Sequence, residues 1–241
     1  LPIFLGLLRS CGVRATFFML GEVAKRHPCI VPQILQDGHE LASHGWSHSL
    51  VTDLTPPMLQ EELELTASLL KEQGGVRPLG FRAPRWSLCR RRTPWAFELL
   101  KQQGYLYDSS LTPLPLVGDP HGPLAPHRII TASGELWELP PMVTSSWFGN
   151  LPTGGGWGFR SFPFRLISNT LRQYASHRMP AILFVHPREF DPQGPRLSLG
   201  PLRNFVTYGP RSSSAERLKR LMGQFQFKPL GELVATWQSA S

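Results

Sequence analysis

His44 and His48, four residues apart in Gly38-His39-Glu40-Leu41-Ala42-Ser43-His44-Gly45-Trp46-Ser47-His48, are the side chains of this sequence best suited to grip a metal ion. On a helical turn, positions i and i+4 share one face with Cβ atoms about 5–6 Å apart, so both rings can converge on one cation. Neutral imidazole suits zinc and similar divalent ions, and a catalytic site built on one needs about three protein ligands and an open position for water. The pair supplies two. A hydrolase also needs a base near that water, a proton donor for the leaving group and a group to hold the developing oxyanion. His186, in Ile182-Leu183-Phe184-Val185-His186-Pro187, is suited to proton donation, since imidazole is the side chain that exchanges protons near neutrality. Arg82, in Gly80-Phe81-Arg82-Ala83-Pro84, can steer a carboxylate, and Asp108, in Tyr107-Asp108-Ser109-Ser110, is the acid best placed to pair with it. Each group also has a plainer use. A histidine before proline can cap a strand, an arginine at a strand end can be structural, and Trp157 among its glycines can anchor a loop or face a substrate.

These polar groups fall where hydrophobic runs stop, which is where α/β folds carry their chemistry. Residues 15–20 read as a buried strand, followed by an amphipathic helix over 22–35 and a short strand over 41–44. Thr55-Pro56-Pro57 opens a helix that runs to Gln73 and stops at Gly74; residues 79–82 are again strand-like, and Thr93-Pro94 opens a second helix ending at Gly104. This repeated strand, loop and capped helix predicts βα units around a parallel sheet. Residues 111–127 are rich in proline and glycine and read as a surface excursion. Residues 128–131 and 136–139 then form a hairpin around Ser133-Gly134, and Thr153-Gly154-Gly155-Gly156-Trp157-Gly158-Phe159-Arg160 reads as a flexible loop. A helix over 164–177, a strand over 181–185, a helix opened by the capping box Ser213 to Glu216 and a last strand over 225–230 complete the pattern. No composition break divides the sequence, so residues 1–241 are expected to form one domain.

The 241 residues, 41% of them hydrophobic, are enough for a sizeable core. No run of eighteen apolar residues occurs, which excludes a hydrophobic membrane-spanning helix within the sequence. Cys11, Cys29 and Cys89 lack CxxC spacing and cannot all pair, which argues against a disulfide framework or thiolate metal site and is compatible with a reducing compartment. The formal charge of +8 is spread out, and its one dense cluster, Arg90-Arg91-Arg92 near Arg85, has no adjoining aromatic ladder of the kind that stacks bases. A solvated basic face, not a nucleic-acid site, is the reading this supports. The opening Leu1-Pro2-Ile3-Phe4-Leu5-Gly6-Leu7-Leu8-Arg9 lacks a basic lead, a cleavage site and a starting Met, and reads as the tail of a helix in an N-terminally truncated piece.

His44-Gly45-Trp46-Ser47-His48 resembles the second motif of the polysaccharide deacetylase family, carbohydrate esterases with a NodB-homology domain. Arg82-Ala83-Pro84 is similar to its third motif and Leu183-Phe184-Val185-His186 to its last, in the same order and rough spacing. Phe81-Arg82-Ala83-Pro84-Arg85-Trp86-Ser87, Tyr107-Asp108-Ser109-Ser110, the Gly-Gly-Gly-Trp loop and His186-Pro187-Arg188-Glu189-Phe190-Asp191-Pro192 resemble the bacterial branch found with exopolysaccharide synthesis and exosortase-type sorting. The resemblance covers nearly the whole chain.

It implies an α/β fold, a distorted (β/α) barrel with a divalent metal, zinc by preference, at the C-terminal ends of the strands. His44 and His48 would bind the metal, His186 would act as general acid, Arg82 would orient the catalytic base and Asp108 would hold Arg82. The backbone N–H of Arg85 would help polarise the scissile carbonyl, with Trp86 and Trp157 beside the substrate, an N-acetylated polysaccharide or oligosaccharide. The branch implies a cytoplasmic location. The family's first motif, a strand ending in two acidic residues that supply the third ligand and the base, should precede Leu1, so this piece is expected to lack the first barrel strand and to be inactive and less stable. Two other readings stay open: an allantoinase-like amidohydrolase acting on a small ureide, and a non-catalytic glycan-binding module with Trp157, Trp147 and Phe148 as sugar platforms.

Overall fold

The short apolar runs do become parallel strands. In the computed structural model, which describes residues 1–115 and 117–238, Thr16–Met19 forms β1, Glu40–Ser43 β2, Gly80–Phe81 β3, Tyr107–Asp108 β4, His127–Thr131 β5 and Gly134–Glu138 β6. They make one sheet in the order β1-β2-β3-β4-β6-β5, parallel except for the β5–β6 hairpin. Strands of a parallel sheet are covered on both faces, and accordingly Leu41, Ala42, Phe81 and Tyr107 are all buried.

Past β6 the sheet thins to single parallel bridges, Pro141 with Ile182 and Gly155 with Phe184. The strand expected over 181–185 is therefore an extended segment, held where Met142 N–H donates to Ile182 O and Phe184 N–H to Gly154 O, both at 2.9 Å. Side chains, not a hydrogen-bonded ladder, join it to β1. Helix α1 (Pro2–Ser10) fills the space between, with Phe4 edge-on to Phe17 and stacked on Phe190, inside a cluster that also takes in Leu183 and Val185. Burying side chains of this size contributes about 1.5–3 kcal/mol each. The result is an open, distorted (β/α) barrel.

The single helix expected over 22–35 is two, α2 (Gly21–Arg26) and α3 (Ile30–Gln36). Pro28 explains the break: the residue before a proline avoids the helical region, and His27 sits at φ −133° and ψ 69°. Helix α4 (Pro56–Gly74) buries Leu59, Leu63, Thr66, Ala67 and Leu70 along one stripe and ends one residue later than expected, on Gly75 at φ +72°. Helix α5 (Pro94–Gln102) starts and stops as its Pro and Gly104 suggest. The hairpin of β7 (Thr144–Ser146) and β8 (Gly149–Leu151) holds Trp147 at its tip, 95% exposed.

The glycine-rich segment is not a free loop but contains α6 (Gly156–Ser161), followed by α7 (Phe164–Ser176), α8 (Pro201–Tyr208) and α9 (Ser214–Met222). Neither Thr55 nor Ser213 makes the side-chain cap bond its position suggested. The strand expected over 225–230 is absent. Proline cannot donate to a ladder, and after Pro229 the chain turns into α10 (Leu230–Gln238), whose first N–H groups donate to Thr16 Oγ1 at 2.8 Å and Glu40 Oε2 at 2.9 Å. No helix among the described residues is long and apolar enough to cross a membrane.

Candidate active site

Because β1 to β4 and β6 run parallel, their C-terminal ends share one rim, and the residues after each end meet there. His44 follows β2 and is fixed twice: its N–H donates to Met19 O at 2.9 Å, and its Nδ1 donates to the carbonyl of Arg82 at 2.7 Å. A carbonyl only accepts, so Nδ1 carries the hydrogen and Nε2 keeps its lone pair. Burial, reinforced by the neighbouring His48, Arg82 and His186, pushes the His44 pKa down to about 3, so the ring is neutral at ordinary pH.

His48 arrives by a different route from the one its spacing suggested. Residues 44–48 are not helical; the chain turns back through Gly45 at φ +77° and His48 at φ +66°. The turn is pinned on both sides, with Gly21 N–H and Glu22 N–H donating to Gly45 O and Trp46 O, and Trp46 N–H donating to Glu62 Oε2 at 3.0 Å. The two rings still meet, 5.3 Å apart and edge to face. Partial burial, then Arg85, His186 and Arg188, lower the His48 pKa. The charge of His186 acts on both histidines.

Arg82 follows β3. Its Nε donates to Ser109 O at 2.9 Å and its Nη2 to Ser109 Oγ at 2.6 Å, while Phe18, Trp86 and Phe184 lie 4.4, 5.2 and 5.7 Å from the guanidinium carbon. Burial lowers its pKa to about 10, which leaves it charged. The expected Asp108 partner is therefore corrected: the direct bonds go to Ser109, and Asp108 acts on Arg82 through charge alone. Strand register explains why. Asp108 lies beside Glu138 in the β4–β6 ladder and accepts a hydrogen bond from Ser110 Oγ at 2.5 Å.

Arg85 and Trp86 sit in a short turn over Pro84–Trp86 with φ of +52° and +58°. Left-handed backbone at two successive non-glycine residues costs on the order of 1–3 kcal/mol each and persists only where surroundings enforce it. Here Ser87 does so, its Oγ donating to Pro84 O and accepting from Val51 N–H. Trp86 packs edge-on to Phe184 at 4.9 Å. Trp157 is tilted against Phe162 at 5.6 Å, and Gly155 lies against Phe184.

His186 ends the 181–185 segment, and its Nδ1 stands 2.8 Å from Glu189 Oε1. Glu189 and its neighbour Arg160 have side chains only 1% exposed, with Arg160 Nε 3.7 Å from Glu189 Oε2. Ser109, Glu138, Glu189 and Arg160 are the site residues that sequence reasoning did not single out. Ser109, Arg160 and Glu189 lie inside motifs named from the sequence, and the three-residue spacing of His186 and Glu189 is a further signal.

The two imidazoles of His44 and His48 suit a divalent cation: one is locked with a bare Nε2 and both are biased to the neutral form. Among the described residues, no group of three or more His, Cys, Asp and Glu side chains is arranged to hold a metal. The pair therefore fits as part of a ligand set.

Residues 1–105 match the family model described as polysaccharide deacetylase, and residues 109–235 match a model described as a domain of unknown function, DUF3473. The chain belongs to the family of the second model, which takes in more than half of it, and its first part matches the polysaccharide deacetylases. The two matched segments share one sheet, β1 to β3 coming from the first, β5 and β6 from the second and β4 from the short stretch between them. The chain is 33% identical over 99 residues to a peptidoglycan deacetylase-like protein of Gibberella zeae, and 31% identical over 97 residues to a peptidoglycan-N-acetylglucosamine deacetylase of Bacillus cereus. Those matches take in 41% and 40% of this chain but only 28% and 35% of the two relatives. The fold is shared along the whole length: a structure from Mycobacterium smegmatis assigned as a polysaccharide deacetylase superposes with a TM-score of 0.71 at 24% identity, covering 99% of this chain and 77% of that one. An allantoinase structure superposes with a TM-score of 0.66 at 18% identity, covering 98% and 71%.

Proposed function

We propose that the protein is a metal-dependent hydrolase that removes N-acetyl groups from an amino-sugar polysaccharide, cleaving the amide C–N bond to give acetate and a free amine. The observation that carries this reading is the meeting of the His44 and His48 rings, 5.3 Å apart, with the Nε2 of His44 left bare by the Arg82 carbonyl and the charge of His186 acting on both. Similarity to relatives named as peptidoglycan deacetylases supports the choice of substrate.

His44 and His48 would hold the cation, zinc by the preference of neutral imidazole. The chemistry it supplies there is polarisation of the acetamide carbonyl and activation of water. The chain's own residues do the rest. His186 gives a proton to the departing nitrogen as the C–N bond breaks, and Arg82, gripped by Ser109, orients a carboxylate base. Asp108 contributes the opposite charge behind Arg82. The backbone N–H of Arg85 would help to hold the developing oxyanion, and Trp86 and Trp157 would stand beside the sugar. We take residues 1–241 as one such domain, acting on an N-acetylated glycan in the cytoplasm; the three free thiols fit a reducing compartment.

Acetate release from an N-acetylglucosamine oligomer tests the reading. A version of the protein carrying an acidic strand end ahead of residue 1 is expected to release acetate and to lose that activity with His186→Ala. The 241-residue chain is expected to release none, because among the described residues no carboxylate joins His44 and His48. An acid-bearing version that binds zinc yet leaves the oligomer intact would overturn the assignment.

A further inference from the structure

We propose that Glu189 is a positioning residue that locks His186 in its Nδ1–H tautomer, so that Nε2 is the nitrogen that gains and loses the proton used in the reaction. The local fold makes this contact. His186 is extended, at φ −112° and ψ 141°, and Pro187–Phe190 then coils into a single 3₁₀ turn. In a 3₁₀ turn, residues i and i+3 eclipse, which brings the Glu189 side chain back over the His186 ring. The turn closes where Glu189 N–H donates to His186 O at 2.8 Å, and Glu189 Oε1 stands 2.8 Å from His186 Nδ1. A carboxylate accepts and does not donate, so the hydrogen of this bond belongs to Nδ1.

The carboxylate is buried beside a cation. Its side chain is 1% exposed, and a buried anion needs a countercharge. Arg160 provides one from α6, with Nε 3.7 Å from Glu189 Oε2 and its own donors fixed on Gly156 O and Val206 O at 3.2 and 2.6 Å. The imidazole, by contrast, is 44% exposed, and Phe184 meets its face edge-on at 6.2 Å. With the Nδ1 edge turned onto buried Glu189, the Nε2 edge is the one without that partner.

This arrangement deepens the role of His186 in the proposed reaction and rests on that reading only for its consequence. When the amide C–N bond breaks, its electron pair goes to nitrogen, and the Nε2–H proton of the imidazolium follows. The ring is left neutral with its Nδ1–H intact, and Glu189 remains a carboxylate throughout. No proton need leave the buried side. The Gly-Gly-Gly-Trp segment gains a function here as well: its last residue, Arg160, is the far end of a three-residue chain that ends at His186 Nε2.

The test is ¹⁵N NMR of the histidine rings in the 241-residue chain, without added metal and at a pH where the rings are neutral, with His186 assigned by the signal lost in His186→Gln. Expected is a His186 whose Nδ1 reads as hydrogen-bearing and whose Nε2 reads as bare. In Glu189→Met, which offers no acceptor, the major form is expected to become Nε2–H. His44, held by the Arg82 carbonyl, keeps its Nδ1–H pattern in the same spectrum and reports that the rim is still folded. A predominantly Nε2–H His186 in the unmodified chain, or an Nδ1–H form that persists in folded Glu189→Met, would overturn the proposal. Should Glu189→Met fail to fold, the unmodified chain decides by itself. Because the readout needs no substrate and no turnover, it stands or falls separately from deacetylase activity.

Discussion

The Nδ1 of His44 donates to the backbone carbonyl of Arg82 at 2.7 Å, so the strand that carries the arginine also sets the tautomer of the first candidate ligand. Orientation of a ligand imidazole through its second nitrogen is a general way of presenting the other lone pair to a cation. Zinc titration of the chain, followed by competition with a chromophoric chelator, is therefore expected to show one saturable site. His44→Ala or His48→Ala should each weaken it about tenfold or more, since loss of even an outer supporting group costs that much. Equal affinity in all three proteins would remove the metal from the account.

Arg82 is held by a fork on one residue, Nε to Ser109 O and Nη2 to Ser109 Oγ, and by three aromatic rings. Lysine has the charge but not the fork or the flat face. Arg82→Lys is expected to lower unfolding free energy by about 1.5–3 kcal/mol, the range for a hydrogen bond to a charged group. Urea denaturation measures it, and a change within about 0.5 kcal/mol, the level of an ordinary surface substitution, would show that the fork contributes little.

What could be read in advance follows a physical divide. Strand ends were legible because buried parallel strands are short apolar runs, and His44, Arg82, Asp108 and His186 all follow such runs. Contacts made across the fold were not. Ser109 displaced Asp108 as the partner of Arg82 because alternation along β4 turns Asp108 toward Glu138, a register that depends on a strand thirty residues away. The pair His44 and His48 had the right spacing for the wrong reason, since a turn through Gly45, not a helix, brings the rings together. The helix α6 and the split between α2 and α3 depend on local proline and glycine geometry, where a sequence pattern marks a break without stating what replaces it.

Glu138 is fully buried, and burial together with the charge of Asp108 raises its pKa well above the ordinary value. A carboxyl whose folded pKa exceeds its unfolded one, about 4.3, holds its proton more tightly in the native state. Its contribution to stability is present below that unfolded value and is lost as pH climbs toward the folded one, at up to about 1.4 kcal/mol per pH unit for one proton. Glu138→Gln cannot ionise. Unfolding free energies measured by urea between pH 5 and pH 8 should therefore fall less steeply with pH in Glu138→Gln than in the unmodified chain. His44 works in the opposite sense, because its lowered pKa makes the native state gain as pH rises through the ordinary imidazole range. That contribution is common to both proteins, so the difference between the curves reports the Glu138–Asp108 pair, and parallel curves would show that the pair holds no extra proton in the native state.

Gly155 lies so close to the segment that ends at His186 that a Cβ there would come within 2.1 Å of Phe184 O and 2.5 Å of its ring. Its φ of 173° is open to any residue, so the demand for glycine is one of space alone. Gly155→Ala must push Phe184 aside, and with it a ring packed against Trp86 and the Arg82 guanidinium. Overpacking of this kind costs about 1–3 kcal/mol, and in a domain of this size each kcal/mol lowers the melting temperature by roughly 2–4 °C. Gly200→Ala is the control, because nothing lies within 4 Å of a Cβ at that position and its φ is −60°. Differential scanning calorimetry should separate the two variants by several degrees, and a Gly155→Ala melting point matching that of Gly200→Ala would mean that the backbone at Phe184 yields freely and does not fix the position of His186.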